Sequence, residues 1–373
     1  MKSLTLIASL GAFVFSPLAQ VSAQAQETDF NVETIAEGLD HPWSIAFVSQ
    51  TQALVTEKPG RLSLLDTESG DLTVITGTPE VLYSGQGGLQ DVVLHPDFDT
   101  NQLVYLSWSK GEVRDNTLAL GRGRLVGDAL IDFEEIFNAT PNRQTDVHYG
   151  ARLVFLPDNS LLLTIGDGFD FREQAQRAQN HFGSIVHLHD DGTPFDSAFE
   201  GAAPGVYSIG HRNPQALVFD PATGTIYSHE HGPMGGDEIN VIVEGANYGW
   251  PITSYGIDYT GALVTPFTLY EGMSEPLMFW VPSIAPAGMA IYHGEMFADW
   301  DGDLLVTALM PGEADTVSGH LRRIVLEDGE VVDQHILLGE LETRLRDVRI
   351  APDGSIYVLT DEENGRVLRL VRE

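Results

Sequence analysis

The chain has 373 residues, no cysteine, and 54 acidic against 20 basic side chains, for a formal net charge of −34. Disulfides and thiolate metal ligands are thereby excluded, and the sign of the charge opposes a nucleic-acid partner or an anionic membrane surface. Any metal must be held by oxygen or by the 12 histidines, and a cluster of arginines is more informative than usual in so acidic a chain.

The N-terminus has the layout of a secretory signal peptide over residues 1–25. Lys2 precedes the apolar run LTLIASLGAFVF, and the small residues Ala23 and Ala25 follow in VSAQAQE. The run is too short for a comfortable membrane span, and no later stretch supplies one. The mature chain is expected to begin near Gln26, to form one domain over residues 26–373, and to be periplasmic or secreted.

Beyond that segment, short apolar runs alternate with Pro/Asp/Gly turns. In chain order, SIAFVSQTQALVTEK, VVLHPDFDTNQLVYLSWS, LVFLPDNSLLLTIGDG, ALVFDPATGTIYSHE, MAIYHGEMFADWDGDLLVTAL and DVRIAPDGSIYVLTDE each read as strand, turn, strand. Further strands follow most of these hairpins, as in GRLSLLD, GSIVHLH, EINVIVE, HLRRIVLE and GRVLRLV. One hairpin type recurring over the whole chain favours an all-β, six-bladed β-propeller over β-sandwiches. A strand near FNVETIA would complete the last blade and close the ring. Residues 110–146 and 252–284 read as long loops on a face of the disc.

Hairpin geometry then gathers distant residues. With the turn at 157–160 as centre, His148 falls within reach of Asp167 across the hairpin mouth. The turn at 220–224 sets Arg212 and Asn213 opposite Gly232 and Pro233. The Asp353–Gly354 turn sets Arg346 opposite Asp361, and Gln86 precedes the first strand of the second hairpin. All lie at open hairpin ends, which in a propeller share one face around the central axis, so they are expected to line one pocket.

Each constellation has two readings. His148 with Asp167 suits a general base whose tautomer a carboxylate fixes, or a structural histidine satisfied by a neighbour. Arg212 with Asn213 suits a carboxylate or quinone oxygen, or a stitch between blades. Arg344 and Arg346 share one side of a strand and suit an anionic ligand, or a salt-bridge ladder with Glu340, Glu342 and Asp361. His229 and His231 form an H-x-H pair without an obvious third nitrogen. Carbonyls at Gly232–Pro233 with Asp237, Glu238 and Asp258 better suit a hard ion such as calcium.

The motifs GQGGLQDVVLHPDF, HYGARLVF…TIGDG, GHRNPQALVFDP, EHGPMGGDEIN…NYGWP, PSIAPAGMAIY and RLRDVRIAPDGSIYVLTD occur in order over about residues 32–371. The chain thereby resembles the soluble aldose sugar dehydrogenases that use pyrroloquinoline quinone (PQQ), the glucose/sorbosone dehydrogenase-like family. The resemblance implies a six-bladed propeller with PQQ and calcium on one face, an aldose substrate oxidised at C1 to the lactone by hydride transfer to PQQ, and a separate electron acceptor. It implies His148 as general base, Asp167 as its orienting acid and Arg212 beside the reacting quinone carbonyl. Gln86, Asn213, Tyr259, Arg344 and Arg346 match PQQ contacts. Gly232 and Pro233 match carbonyl ligands of the calcium that holds PQQ, and Glu238, Tyr248 and Asp258 match a second, structural calcium site.

Two departures stand out. Met310, in TALMPGEADTVSGHLRRI, occupies the place of a cofactor-contacting lysine of the family, with Arg322 and Arg323 as candidate substitutes. The segment FGSIVHL lacks the family's basic residue. Two alternatives follow: a calcium-dependent propeller lactonase or other hydrolase, and a non-catalytic carbohydrate-binding propeller that has lost PQQ.

Overall fold

The structure, a computed structural model, describes residues 24–25 and 29–372, so all of the expected signal segment but Gln24–Ala25 lies outside the described residues. Strands this short cannot bury a core singly, and they assemble into six sheets, antiparallel throughout except where Gln24–Ala25 adds a parallel edge to the fifth. The first strands are Pro42–Phe47, Leu89–Leu94, Gly150–Phe155, Pro214–Phe219, Pro286–Ile291 and Leu345–Ile350. Each packs against the first strand of the next sheet, and the sixth against the first. The sheets therefore form a closed six-bladed propeller, as the recurring hairpin predicts. Asn31–Leu39 is the outer strand of blade 6, paired with Gly365–Val371. It closes the ring as the position of FNVETIA predicts, and Ile45, Leu65, Tyr357 and Leu359 pack across that closure.

One expectation is corrected. Residues 110–146 are not a loop: Leu103–Glu112, Asp115–Val126 and Ala129–Asn138 complete blade 2, and only the stretch after Asn138 is irregular. Gly121 and Gly123 interrupt the apolar pattern of the third strand. They make room for Phe133, whose ring carbons would lie 2.7 and 3.0 Å from a Cβ at those positions. Residues 252–284 are loop except for Met278–Trp280. No helix among the described residues is long and apolar enough to cross a membrane.

All six first hairpins share one irregularity. The register slips by one residue near the start of the first strand, between Pro42 and Ser44, Leu89 and Val92, Gly150 and Leu153, Pro214 and Ala216, Pro286 and Met289, and Leu345 and Asp347. Such bulges bend the strand and re-aim its next side chains. Here they occur at the open ends, the face on which the candidate residues lie.

Deeper along the axis, Arg152 pairs with Asp91 (3.2 Å) and Asp347 (3.0 Å) and donates to the Gln215 carbonyl (2.7 Å). Arg349 reaches the same two carboxylates. Arg152, Asp91 and Asp347 are at most 1% exposed. Removing Arg152 leaves two buried carboxylates to share the half-buried Arg349 alone, so Arg152→Met is expected to lose about 3–5 kcal/mol of stability. Chemical denaturation measures it, and a loss below about 1 kcal/mol would contradict a structural role for the cluster.

Candidate active site

A cavity of about 420 Å³ opens at the axial end of the hairpin mouths, lined among others by Gln86, Gln90, Tyr149, Gln215, His231, Lys58, Arg344, Arg346 and Asp361. Lys58, Arg344 and Arg346 face a single carboxylate there, in a chain of net charge −34. Arg344 bonds Asp361 at 2.7 Å and Arg346 does so at 3.3 Å. The bulged register sets Arg344, rather than Arg346, directly across from Asp361, whose N–H donates to the Arg344 carbonyl at 2.9 Å. Of the ladder with Glu340, Glu342 and Asp361, only the Asp361 rung forms among the described residues, and both arginines still line the cavity. Burial works against the Asp361 carboxylate, yet Arg346 and Arg344 outweigh it and hold its pKa far below the usual range.

His148 adjoins the cavity through Gln86, whose Oε1 accepts the His148 N–H at 2.7 Å. Its Nδ1 lies 2.7 Å from Asp167 Oδ1. Asp167 is fixed in turn by the Phe169 N–H (2.7 Å) and the Trp250 indole N–H (2.8 Å). Burial opposes ionisation of Asp167, but His148, with help from Arg212 and the Phe169 N–H, lowers its pKa overall. Burial lowers the pKa of His148, Asp167 pulls it back up, and Arg212 pushes it down again, so the net shift is downward. At neutral pH this is a neutral imidazole protonated on Nδ1, with a lone pair on Nε2. His148 holds a positive φ of 55° and Phe169 one of 64°, backbone strain of the kind that collects at functional sites.

Arg212 links the imidazole to a second, smaller hollow lined by Glu230, Gly232, Glu238, Tyr248, Trp250 and Ser254 among others. Its Nη1 donates to the Gly232 carbonyl at 2.7 Å, and its Nη2 lies 3.4 Å from the Tyr259 hydroxyl. The guanidinium stands 5.3 Å from the Trp250 ring centre. Asn213 Oδ1 accepts from the Gly150 N–H (3.2 Å), while its Nδ2 is buried without a partner. Tyr259 is 58% exposed and stacks on Phe169 with ring centres 6.2 Å apart.

The expected oxygen ligands come together in part. Glu238 is the cross-strand partner of Glu230. Among the described residues neither carboxylate pairs with a lysine or arginine; Glu230 meets His211 Nδ1 at 3.2 Å, and Glu238 meets the Asn240 amide at 3.3 Å. Burial first, and then Glu230, raise the pKa of Glu238 well above the ordinary value. Tyr248 lines the hollow, with its hydroxyl donated to the Val241 carbonyl at 2.7 Å. Pro233 is buried beside Gly232. Asp258 stands apart, paired with Arg172 at 3.1 Å.

Sequence reasoning does not single out Lys58, Trp250 or Glu230 as site residues. Glu230 was within its reach, because a turn centred on Met234 in EHGPMGGDE sets Glu230 against Glu238. Lys58 was too, since it holds the same position after its blade's second strand as His231 and Asp361. Trp250 reaches Asp167 from a loop, for which no register exists. Of the candidate substitutes for the family's lysine, neither Arg322 nor Arg323 lines the cavity. Arg322 is bound to Glu313 (2.8 Å) and Arg323 to Asp303 (2.6 Å).

The family model for Glucose / Sorbosone dehydrogenase matches residues 39–369. Aldose sugar dehydrogenase YliI of Escherichia coli (strain K12) is 36% identical over an alignment covering 96% of this chain and 98% of that protein. The apo-form crystal structure of the soluble aldose sugar dehydrogenase from Escherichia coli superimposes with a TM-score of 0.86 at 35% identity, covering 92% of this chain and 100% of that one. The PQQ-bound form of aldose sugar dehydrogenase from Streptomyces coelicolor gives a TM-score of 0.74 at 26% identity, covering 94% and 99%.

Proposed function

The chain belongs to the glucose/sorbosone dehydrogenase family, and we propose that it oxidises an aldose at C1 to the lactone with PQQ and calcium as cofactors, in an exported, periplasmic or secreted location. The observation that supports this most is the cavity next to His148, where three cations face one carboxylate. PQQ is a tricarboxylate, and two buried donors without partners, Arg346 Nε and Asn213 Nδ2, stand ready for acceptor atoms. The residues present therefore fit the cofactor. Gln86, Asn213, Arg344 and Arg346 would hold it, with Arg212 and Tyr259 at its edge, and once bound it would supply the two-electron acceptor for the sugar hydride.

The chain's own residues do the proton work. Nε2 of His148 takes the proton of the anomeric hydroxyl, and the bond from Nδ1 to Asp167 stabilises the imidazolium that results. Trp250 and the Phe169 N–H keep the carboxylate in place. Arg212 supplies fixed positive charge where anionic character develops, in a site that needs no reorganisation to provide it.

Calcium fits the smaller hollow and its edge. The Gly232 carbonyl has a second lone pair beside the one given to Arg212, and Glu230 and Glu238 present hard oxygens without a lysine or arginine to balance them. Pro233 and Tyr248 complete the proposed oxygen set, and Asp258 can join only by releasing Arg172. Calcium is expected to raise the melting temperature, by mass action about 2.7 kcal/mol at a hundred times its Kd. Glu238→Ala is expected to blunt the gain. A melting curve indifferent to calcium and to chelator would remove the ion from the assignment.

Reconstitution with PQQ and calcium, followed by dye reduction across a panel of aldoses, tests the reading as a whole. Dye reduction that depends on PQQ and on sugar is the expected result. Lactone hydrolysis without PQQ would move the assignment to a hydrolase, and sugar binding without turnover would move it to a binding module.

A further inference from the structure

Among the residues lining the cavity, Lys58 is the cation left over. Arg344 and Arg346 share Asp361, whereas Lys58 forms no ion pair among the described residues. Its ammonium donates to the Gly85 carbonyl at 3.2 Å and lies 5.7 Å from the Tyr83 ring centre. Its place follows from the repeat. The second strands of blades 1, 4, 5 and 6 end at Glu57, Glu230, Ala308 and Thr360, and the next residue in each case, Lys58, His231, Leu309 or Asp361, lines the cavity. Met310 is one residue further along blade 5 and is 47% exposed.

We propose that Lys58 is a cofactor-binding residue that clamps a carboxylate of the bound quinone from blade 1, the third cation for a tri-acid whose other two are Arg344 and Arg346. This rests on the PQQ reading above. Lys58 is partly desolvated and stands near Arg346 and Arg344 as well as Asp361 and Asp40, and burial followed by Arg346 outweighs the two carboxylates and lowers its pKa. An ammonium in that position gains more from an arriving anion than a free surface lysine would. The role is electrostatic, so arginine should substitute and glutamine should not.

The test is a calorimetric or absorbance titration of PQQ into calcium-loaded wild type, Lys58→Gln and Lys58→Arg, with melting temperatures taken before PQQ is added. Losing one charged hydrogen bond is expected to weaken binding about 10- to 100-fold in Lys58→Gln. Lys58→Arg should stay within a few-fold of wild type, and the melting temperatures without PQQ should agree. Wild-type affinity in Lys58→Gln overturns the Lys58 assignment and leaves the PQQ reading standing. Equal weakening in both variants together with a lowered melting temperature overturns it as well, because the lysine then acts through the fold. Failure of wild type to bind PQQ overturns both.

Discussion

His148→Ala is expected to bind PQQ about as tightly as wild type and to oxidise an aldose about 10²- to 10⁴-fold more slowly, the usual contribution of a positioned base. The two effects separate because the site is built in two parts. What joins His148 to the cavity is its backbone N–H on Gln86, which an alanine keeps, while the imidazole is turned toward Asp167. The cations of the cavity touch neither. A PQQ titration followed by single-turnover sugar oxidation reads both halves. The pH profile adds an independent check. Burial and Arg212 outweigh Asp167 and put the His148 pKa below its ordinary 6.5. The imidazole therefore loses its basic lone pair only at lower pH, and the acid limb of kcat/KM should fall below that value. The limb should disappear in His148→Ala. Wild-type turnover in that variant would remove His148 from the chemistry and leave the cofactor clamp untouched.

Much of this arrangement is legible in the sequence because hairpins convert distance along the chain into position in space. A turn at 157–160 places His148 against Asp167 without knowledge of any other blade, and the same arithmetic places Arg212 against Gly232. Repetition then places all such mouths on one face. The expected pairing of Arg346 with Asp361 is off by two residues: the hairpin runs one residue out of step with its Asp353–Gly354 centre, and the bulge between Leu345 and Asp347 adds a second, setting Arg344 opposite Asp361. It fails over residues 110–146 because alternation is its only signal there, and Gly121 and Gly123 suppress it to accommodate Phe133. It is silent where a loop closes on a strand. The bond from Trp250 to Asp167 joins residues 83 apart, and no periodicity encodes it. Glu230 is hidden for a different reason: it lies between His229 and His231, a pair that points to nitrogen ligands, and only its cross-strand partner Glu238 marks it as an oxygen donor.

Replacing Arg344 and Arg346 together by alanine is expected to weaken PQQ binding about 10²- to 10⁴-fold, from two charged hydrogen bonds of about 1.5–3 kcal/mol each. The loss should exceed the sum of the single variants, because these residues share a partner. With one arginine left, Asp361 remains neutralised. With both gone, only Lys58 is left to offset the ionised Asp361 carboxylate as a tricarboxylate arrives, and most of the attraction of the cation clamp is lost. The singles should also differ from each other. The side chain of Arg344 is 45% exposed and can be screened by solvent, whereas that of Arg346 is 9% exposed and has a buried Nε with no partner. Arg346→Ala is therefore expected to cost more than Arg344→Ala. Adding Asp361→Asn to the double variant removes the opposing carboxylate charge without restoring the arginines, so it should recover part of the loss and not all of it. Titrating PQQ at two ionic strengths decides between attraction and mere packing. Wild type should bind more weakly as salt rises, and the double variant should show that dependence weakened or abolished. Unchanged affinity in the double variant would mean that the two arginines serve only to hold Asp361 and blade 6.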